Sequence, residues 1–260
     1  MPEPEVHPTA VVAASARIAP GAYVGPHCVV EAGVEIGEGT RLLSQVVVHE
    51  GTVLGPGNVV SPMAVLGGAP QDIKYGGEPT RLVVGARNRI RECVTMNRGT
   101  GGGGGVTTVG DDNLVMAYSH IAHDCRVANS TILGNAATLA GHVEIDDEAY
   151  VGAFSGIHQF TRVAKHAFIG GYSVVTQDAL PWVLTVGNRA TTHGINLVGL
   201  KRKGYSDETI EAIKQCYMTL FRSKLLLKDA ILKVEAEVGR FEEVRYFLEF
   251  VRTSKRGVCR

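Results

Sequence analysis

The sequence predicts a mainly β protein, a parallel β-helix of hexapeptide repeats with a C-terminal α-helical domain. Three observations carry that prediction. An aliphatic residue returns every six positions, a small or β-branched residue follows it four places on, and after Val183 the pattern gives way to helical stripes. A period of six suits neither an amphipathic helix, at about 3.6, nor the two-residue alternation of a plain strand. It suits short strands separated by corners, coiled so that each turn stacks on the last.

In chain order, the repeat runs through Val6, Val12, Ile18, Val24, Val30, Ile36, Leu42, Val48, Leu54, Val60 and Leu66, then resumes at Val84, Ile90 and Met96. From Val109 it runs unbroken through Val115, Ile121, Val127, Leu133, Leu139, Ile145, Val151, Ile157, Val163 and Ile169 to Val175. The slot four places on holds Ala10, Ala16, Ala22 and Cys28, and later Ser119, Cys125, Thr131, Ala137 and Ala149. Such residues point inward beside the larger aliphatic without overfilling a narrow interior. Gly25, Gly37, Gly55, Gly134, Gly152 and Gly170 come directly after the aliphatic, where a corner with positive φ is expected. Three faces close a triangular prism, and at ~4.8 Å per rung the prism is roughly 40 Å long.

Two insertions interrupt the prism, at about 67–83 and 97–108, and binding loops on solenoids sit in such places. The second contains Gly101 to Gly105 in a row. It formally matches a dinucleotide fingerprint, but without a βαβ unit around it the run reads as a flexible loop. The prism domain is expected over 1–190 and the helical domain over 191–260. Ser206 followed by Asp207 and Glu208 makes a good helix start, and Ile210, Ile213, Tyr217, Leu220 and Phe221 form its apolar stripe. A second helix is expected from about Lys224 to Val238, ended by Gly239, and a third from Phe241 to Val251. Together they cover one open end of the prism, whose strand edges would otherwise invite aggregation.

Lys+Arg and Asp+Glu both total 26, so no global bias points to nucleic acid or an anionic membrane. No apolar run approaches the ~20 residues of a membrane helix, and the first residues lack the basic start and apolar run of a signal peptide. The five cysteines, at 28, 93, 125, 216 and 259, do not read as a disulfide framework. A cytoplasmic compartment is expected.

A prism core of Val, Ile and Leu has little room for histidine. His120, His123, His142 and His158 are therefore expected along one outer edge, since a coil of three hexads brings them near one another. Two chemistries suit such a cluster. One is zinc held by three neutral imidazoles with water in the fourth position. The other is general base catalysis by one histidine oriented by a carboxylate. Asp124 beside His123 fits either. Cys125 occupies the small inward slot and reads as packing.

The segments Gln71-Asp72-x-Lys74-Tyr75-x-Gly77-Glu78-Pro79-Thr80-Arg81, Asn88-x-Ile90-Arg91-Glu92, Arg98-Gly99-Thr100, His120-Ile-Ala-His123-Asp124-Cys125 and Asn196-x-x-Gly199-Leu200-Lys201-Arg202 carry a resemblance. Their order and spacing are similar to those of the UDP-N-acetylglucosamine O-acyltransferases of lipid A biosynthesis, within the hexapeptide-repeat acyltransferases. The likeness covers essentially the whole chain. It implies a left-handed coil, which the general crossover rule would not have chosen. It also implies transfer of a 3-hydroxyacyl group from acyl carrier protein to the 3-hydroxyl of UDP-N-acetylglucosamine, the first step of lipid A synthesis, without metal or other cofactor. By the same resemblance His123 is the general base, Asp124 orients it, and the Gly141 N–H stabilises the oxyanion. Asp72, Lys74, Asn97, His120, His142, His158 and Gln159 position the sugar and acyl groups, and Asn196 and Arg202 meet the nucleotide. Family members are homotrimers with the site between neighbouring prisms.

Two departures stand out. The family's better-known members carry histidine where this chain has Asn97, and glutamate where it has Val198. Gly171 falls where the family sets acyl length, and glycine leaves that groove open, so a chain of roughly twelve or more carbons is expected. Arg162, Lys165, Arg202 and Lys203 are candidates for an acidic carrier protein's landing area. The rival readings are acylation of a 3-amino analogue of the sugar, a zinc hydratase of the carbonic anhydrase type, and a non-catalytic scaffold. A scaffold would show ladders of one residue type along an outer face, and none is visible.

Overall fold

The six-residue period closes as three faces. In the computed structural model, which describes residues 3–260, successive strands take the three faces in turn, and three sheets wind up the molecule together. The first face stacks Val6, Val24, Leu42, Val60, Ile90, Val115, Leu133, Val151 and Ile169 in direct register. The second stacks Val12, Val30, Val48, Leu66, Met96, Ile121, Leu139, Ile157 and Val175. The third stacks Ile18, Ile36, Leu54, Val84, Val109, Val127, Ile145 and Val163. Every aliphatic singled out by the period lies where it was expected. From Val24 onward these side chains are buried, each contributing about 1.5–3 kcal/mol. A one-residue slip would turn them all to solvent, so the register is strongly specified.

The corners depart from expectation. Gly25, Gly37, Gly55, Gly134, Gly152 and Gly170 are not among the residues with positive φ. That conformation falls three places after the aliphatic instead, often on residues with side chains, as at Asp124 (φ 59°), His142 (61°) and Phe160 (62°). The glycines are needed because the next coil lies against them, with its backbone at five of the six and with the Val186 side chain at Gly170. A Cβ on Gly25 would sit 1.5 Å from the Leu43 carbonyl oxygen, and one on Gly55 2.5 Å from that of Gly85. A left-handed residue with a side chain costs roughly 1–2 kcal/mol. Bonds to the coil below offset it, as where His142 N–H donates to His123 O at 3.0 Å and Phe160 N–H to Gly141 O at 3.2 Å.

The small inward slot also holds three asparagines. Asn58 Oδ1 accepts from Asn88 N (2.8 Å) and Nδ2 (3.0 Å), and Asn88 Oδ1 from Asn113 N (2.9 Å). Asn113 Oδ1 in turn accepts from Thr131 N and Oγ1, both at 2.7 Å. The ladder is buried and fully bonded along its length, which is what a polar interior requires.

Four helices follow the prism: α1 Leu197–Arg202, α2 Asp207–Phe221, α3 Leu227–Val238 and α4 Glu242–Thr253. Ser206 caps α2 as expected, its Oγ accepting from Thr209 N at 3.1 Å. The second helix starts three residues later than Lys224, because Ser223 Oγ accepts from Leu225 N (3.2 Å) and turns the chain first. α1 was not foreseen; the basic run at Lys201-Arg202 is its last turn, and Asn196 Oδ1 caps it by accepting from Gly199 N at 3.0 Å. Thr191–Ile195 pairs antiparallel with Val183–Val186 before the helices begin. Ile213, Tyr217, Phe247 and Phe250 then pack with Leu180, Trp182 and Val183 from the end of the prism. No helix among the described residues is long and apolar enough to cross a membrane.

Candidate active site

One corner of the prism, between the second and third faces, gathers the chemistry. Asp124, His142 and Phe160 take the same left-handed position on successive coils, so their side chains leave the prism one above another. His142 stacks on Phe160 with ring centroids 4.4 Å apart, and its Nε2 lies 3.6 Å from Asp124 Oδ2. His123, one residue before the corner, places Nδ1 2.8 Å from the same Oδ2. One coil up, a Cβ on Gly141 would meet His123 Cε1 at 2.5 Å and Nε2 at 2.7 Å. Only glycine leaves the imidazole's outer nitrogen accessible there.

Asp124 is the most enclosed of these groups, its side chain 1% exposed. Burial pushes its carboxyl up, but hydrogen bonds from Thr100 and His123 and the nearby His142 ring outweigh it, and the net shift is downward. Asp124 is thus a carboxylate near neutral pH and can only accept, so His123 Nδ1 is the donor, which in a neutral imidazole puts the lone pair on Nε2. Burial lowers the His142 pKa against the opposing pull of Asp124. Burial also lowers that of His120, aided by His123.

The insertions close the other side of the corner. A cleft of about 680 Å³ is lined by Asp72, Lys74, Tyr75, Glu78, Thr100, Gly103, His142, Gln159 and Phe160. Of the residues singled out in the sequence, Asp72, Lys74, His142 and Gln159 therefore meet around one space. Asp124 touches its wall through Thr100, His123 through His142, and Gly141 lies against His123. His120 is set just aside, its Nδ1 2.7 Å from Thr95 Oγ1. His158 is exposed, with Nδ1 3.0 Å from the Gln159 carbonyl. Asn97 is buried, and its amide donates to Ala69 O at 3.0 Å, tying down the root of the first insertion. Gly171 lies on a different, exposed corner beside Tyr172.

Asn196 and Arg202 lie elsewhere. With Val198, Lys203, Glu148, His166 and Trp182 they line a separate cavity of about 400 Å³ that shares no residue with the cleft. Of the proposed carrier-protein contacts, Arg162 sits over the Phe250 ring at 4.4 Å, and Lys203 pairs with Glu148. The three-imidazole zinc set does not converge. Among the described residues the group with metal-ligand spacing is His123, Asp124 and His142, and Asp124 already accepts from both Thr100 and His123.

Thr100, Gly103, Glu78 and Phe160 were not given roles from the sequence. The glycine run is an ordered 3₁₀ turn, Gly101–Gly103, capped by Thr100 and laid over Asp124. A Cβ on Gly103 would lie 2.0 Å from the Asp124 carboxyl carbon. The available signal was the position of Thr100 at the head of the run, where a hydroxyl caps a helical turn.

A coiled prism with a histidine–carboxylate pair at a bare-glycine corner defines a class, the hexapeptide-repeat acyl-transfer enzymes. Comparison with known proteins narrows it. A family model described as UDP-N-acetylglucosamine O-acyltransferase, domain 2, matches residues 178–259. The acyl-[acyl-carrier-protein]–UDP-N-acetylglucosamine O-acyltransferase of Janthinobacterium sp. (strain Marseille) is 50% identical over 259 residues, covering 98% of this chain and 99% of the relative. That of Burkholderia orbicola is 47% identical over 207 residues, 78% of this chain and 79% of the relative. The Francisella novicida UDP-N-acetylglucosamine acyltransferase structure superposes with a TM-score of 0.95 at 40% identity, covering 98% of this chain and 94% of that one. The Moraxella catarrhalis O-acyltransferase gives 0.94 at 39%, covering 98% and 99%. The chain belongs to the acyl-[acyl-carrier-protein]–UDP-N-acetylglucosamine O-acyltransferase family, and its coil is left-handed.

Proposed function

We propose that His123 is the general base of the reaction that this chain shares with its family, acyl transfer from acyl carrier protein to the 3-hydroxyl of UDP-N-acetylglucosamine. Nε2 removes the hydroxyl proton as the oxygen attacks the thioester carbonyl carbon. The Gly141 N–H donates to the oxyanion that forms. Collapse breaks the carbon–sulfur bond, and the carrier's thiolate takes the proton back from the imidazolium. Asp124 keeps the productive tautomer and stabilises the charged ring. The observation that carries this reading is the 2.8 Å contact between His123 Nδ1 and a carboxylate held below its usual pKa.

Asp72, Lys74, His142 and Gln159 hold the sugar and acyl groups in the cleft, with His120 and His158 beside it. Asn97 acts through the first insertion, whose root it anchors. Asn196 and Arg202 meet the nucleotide from a neighbouring copy of the chain, Arg202 through charge-assisted bonds to phosphate. The separation of their cavity from the cleft supports a homotrimer with its sites between prisms. Gly171 leaves room for a long acyl chain. The reaction is the first step of lipid A biosynthesis, and we infer that it takes place in the cytoplasm, where carrier thioesters are made.

The test offers UDP-N-acetylglucosamine and its 3-amino analogue with a ladder of carrier-protein thioesters. O-acylation that peaks at twelve or more carbons is the expected outcome. Faster transfer of ten-carbon chains would remove the role of Gly171, and preference for the amine would reassign the acceptor.

A further inference from the structure

We infer that Thr100 is a positioning residue for acyl transfer, and that the two insertions form a latch whose task is to hold the Asp124 carboxylate against His123. The inference rests on reading His123 as the base. Thr100 reaches both carboxylate oxygens, its N–H donating to Oδ1 at 2.9 Å and its Oγ1–H to Oδ2 at 2.7 Å. Oδ2 is also the oxygen that His123 Nδ1 contacts. The hydroxyl has no freedom to turn elsewhere, because its oxygen accepts from Gly103 N at 3.1 Å. Its proton is left for Asp124.

Thr100 is itself held. Gly105 N–H donates to its carbonyl at 2.9 Å, and Gly103 lies so close over Asp124 that no side chain fits. The first insertion then closes on the second: Glu78 Oε1 accepts from Gly101 N and Oε2 from Gly76 N, both at 2.9 Å. Tyr75 OH donates to the Glu78 carbonyl at 2.9 Å. Three links therefore run from insertion to insertion to carboxylate to imidazole.

The reason such a latch is needed lies in the corner. On the two coils above, the corner's N–H donates to a carbonyl of the coil below, His142 to His123 and Phe160 to Gly141, but the second insertion interrupts the coil under Asp124. Thr107 Oγ1 takes the Asp124 N–H instead, at 2.8 Å. The carboxylate would otherwise keep one good donor, His123, and a buried acid with so few partners either takes up a proton or turns away. A bond to a reacting histidine is only as well aimed as the group that makes it.

The experiment compares Thr100→Val and Thr100→Ser in the purified full-length protein, with UDP-N-acetylglucosamine and an acyl carrier protein thioester. Thr100→Val keeps the shape and removes the hydroxyl bond. Its kcat should fall about 10- to 100-fold, with KM for the nucleotide sugar changed by less than about threefold, and Thr100→Ser should restore most of the rate. In an Asp124→Asn background, Thr100→Val should cost less than about threefold more, since the group it aims is already lost. Glu78→Gln, further along the latch, should show a smaller fall in kcat and serves if Thr100→Val does not fold. A Thr100→Val enzyme with wild-type kcat overturns the latch, as does a loss that recurs in full beside Asp124→Asn. If His123→Ala is dead while Thr100→Val is unimpaired, only the latch falls; if His123→Ala is fully active, the base assignment falls with it.

Discussion

Two corners of this prism carry nearly the same column of side chains. One has Asp124, His142 and Phe160; the other has Glu148, His166 and Trp182, all in the left-handed conformation. In each, a carboxylate lies below a histidine, at 3.6 Å from His142 and 3.7 Å from His166, and an aromatic ring stacks above. Their surroundings differ. Asp124 is sealed by the insertions and also bonded by His123, whereas Glu148 is 28% exposed and paired with Lys203. The coil repeats a backbone geometry, and any acid and histidine one coil apart will meet in it. A proton-moving site needs something more, namely a second histidine with a free nitrogen and a carboxylate held by neutral donors instead of a lysine.

The comparison breaks most readily at His123. His123→Ala should lower kcat by roughly 10²–10⁴-fold, the usual worth of a general base, with the fold kept as judged by circular dichroism and oligomeric state. His166→Ala, in the corner without a second histidine, should leave kcat within a few-fold and act on stability and on KM for the nucleotide sugar, since His166 lines the cavity of Asn196 and Arg202. Equal losses in the two variants would mean that the corners do not differ in chemistry. Asp124→Asn comes next, with a fall of about 100-fold expected because the amide presents its NH₂ or a weaker acceptor to Nδ1. Glu148→Gln should do far less to turnover.

How much of this was legible follows the same division. The prism was, because each coil repeats one local demand, a large aliphatic and a small partner six and four residues apart, and twenty-odd repetitions outweigh any single exception. That His123 and His142 would meet was legible from the coil length, and Asp124 from its place beside His123. Their roles came only from the family resemblance, and His158, grouped with them by the same count, stands apart. What the period did not reveal lies where it is broken. Thr100 meets Asp124 across 24 residues of sequence through a glycine run with no pattern of its own, so it read as a flexible loop. The corner glycines suggest a conformation from sequence, whereas their constraint is the closeness of the next coil, which no local rule reports. The asparagine ladder hid in a slot that otherwise takes small residues. Asn196 and Arg202 face a cavity of their own, and one chain's sequence cannot say what a second chain brings to it.

A smaller effect tests the seal itself. In Gly103→Ala the new methyl would overlap the Asp124 carboxyl at 2.0 Å, and Asp124 belongs to a rigid coil, so the strap must lift. Overpacking of this kind costs about 1–3 kcal/mol, read as a lower thermal midpoint, together with a fall in kcat smaller than that of Asp124→Asn. Gly102→Ala, where an added Cβ meets nothing within 4 Å, should change neither. If both alanines behaved alike, the glycines would matter for flexibility and not for closeness to Asp124.

The smallest expected effect is on stability against pH, and here the two corners should agree. Burial lowers the pKa of His142 and of His166 below the ordinary value of 6.5, so between the folded and unfolded pKa values the unfolded chain binds more protons. Stability therefore rises with pH through that window and levels off just above 6.5; it is lost as pH falls from there toward the folded values. The carboxylates act lower down. Asp124 and Glu148 have lowered pKa values, so their contributions are present above the ordinary carboxylate range and lost only as pH falls through the folded values. Thermal melts from pH 5 to 8 should show a midpoint rising to a plateau, and His166→Gln or His142→Gln should each flatten the rise in part. A midpoint that instead fell as pH rose through 6.5 would mean that the acid in each column dominates its histidine, making both pairs ionic and erasing the distinction between a sealed and an open corner.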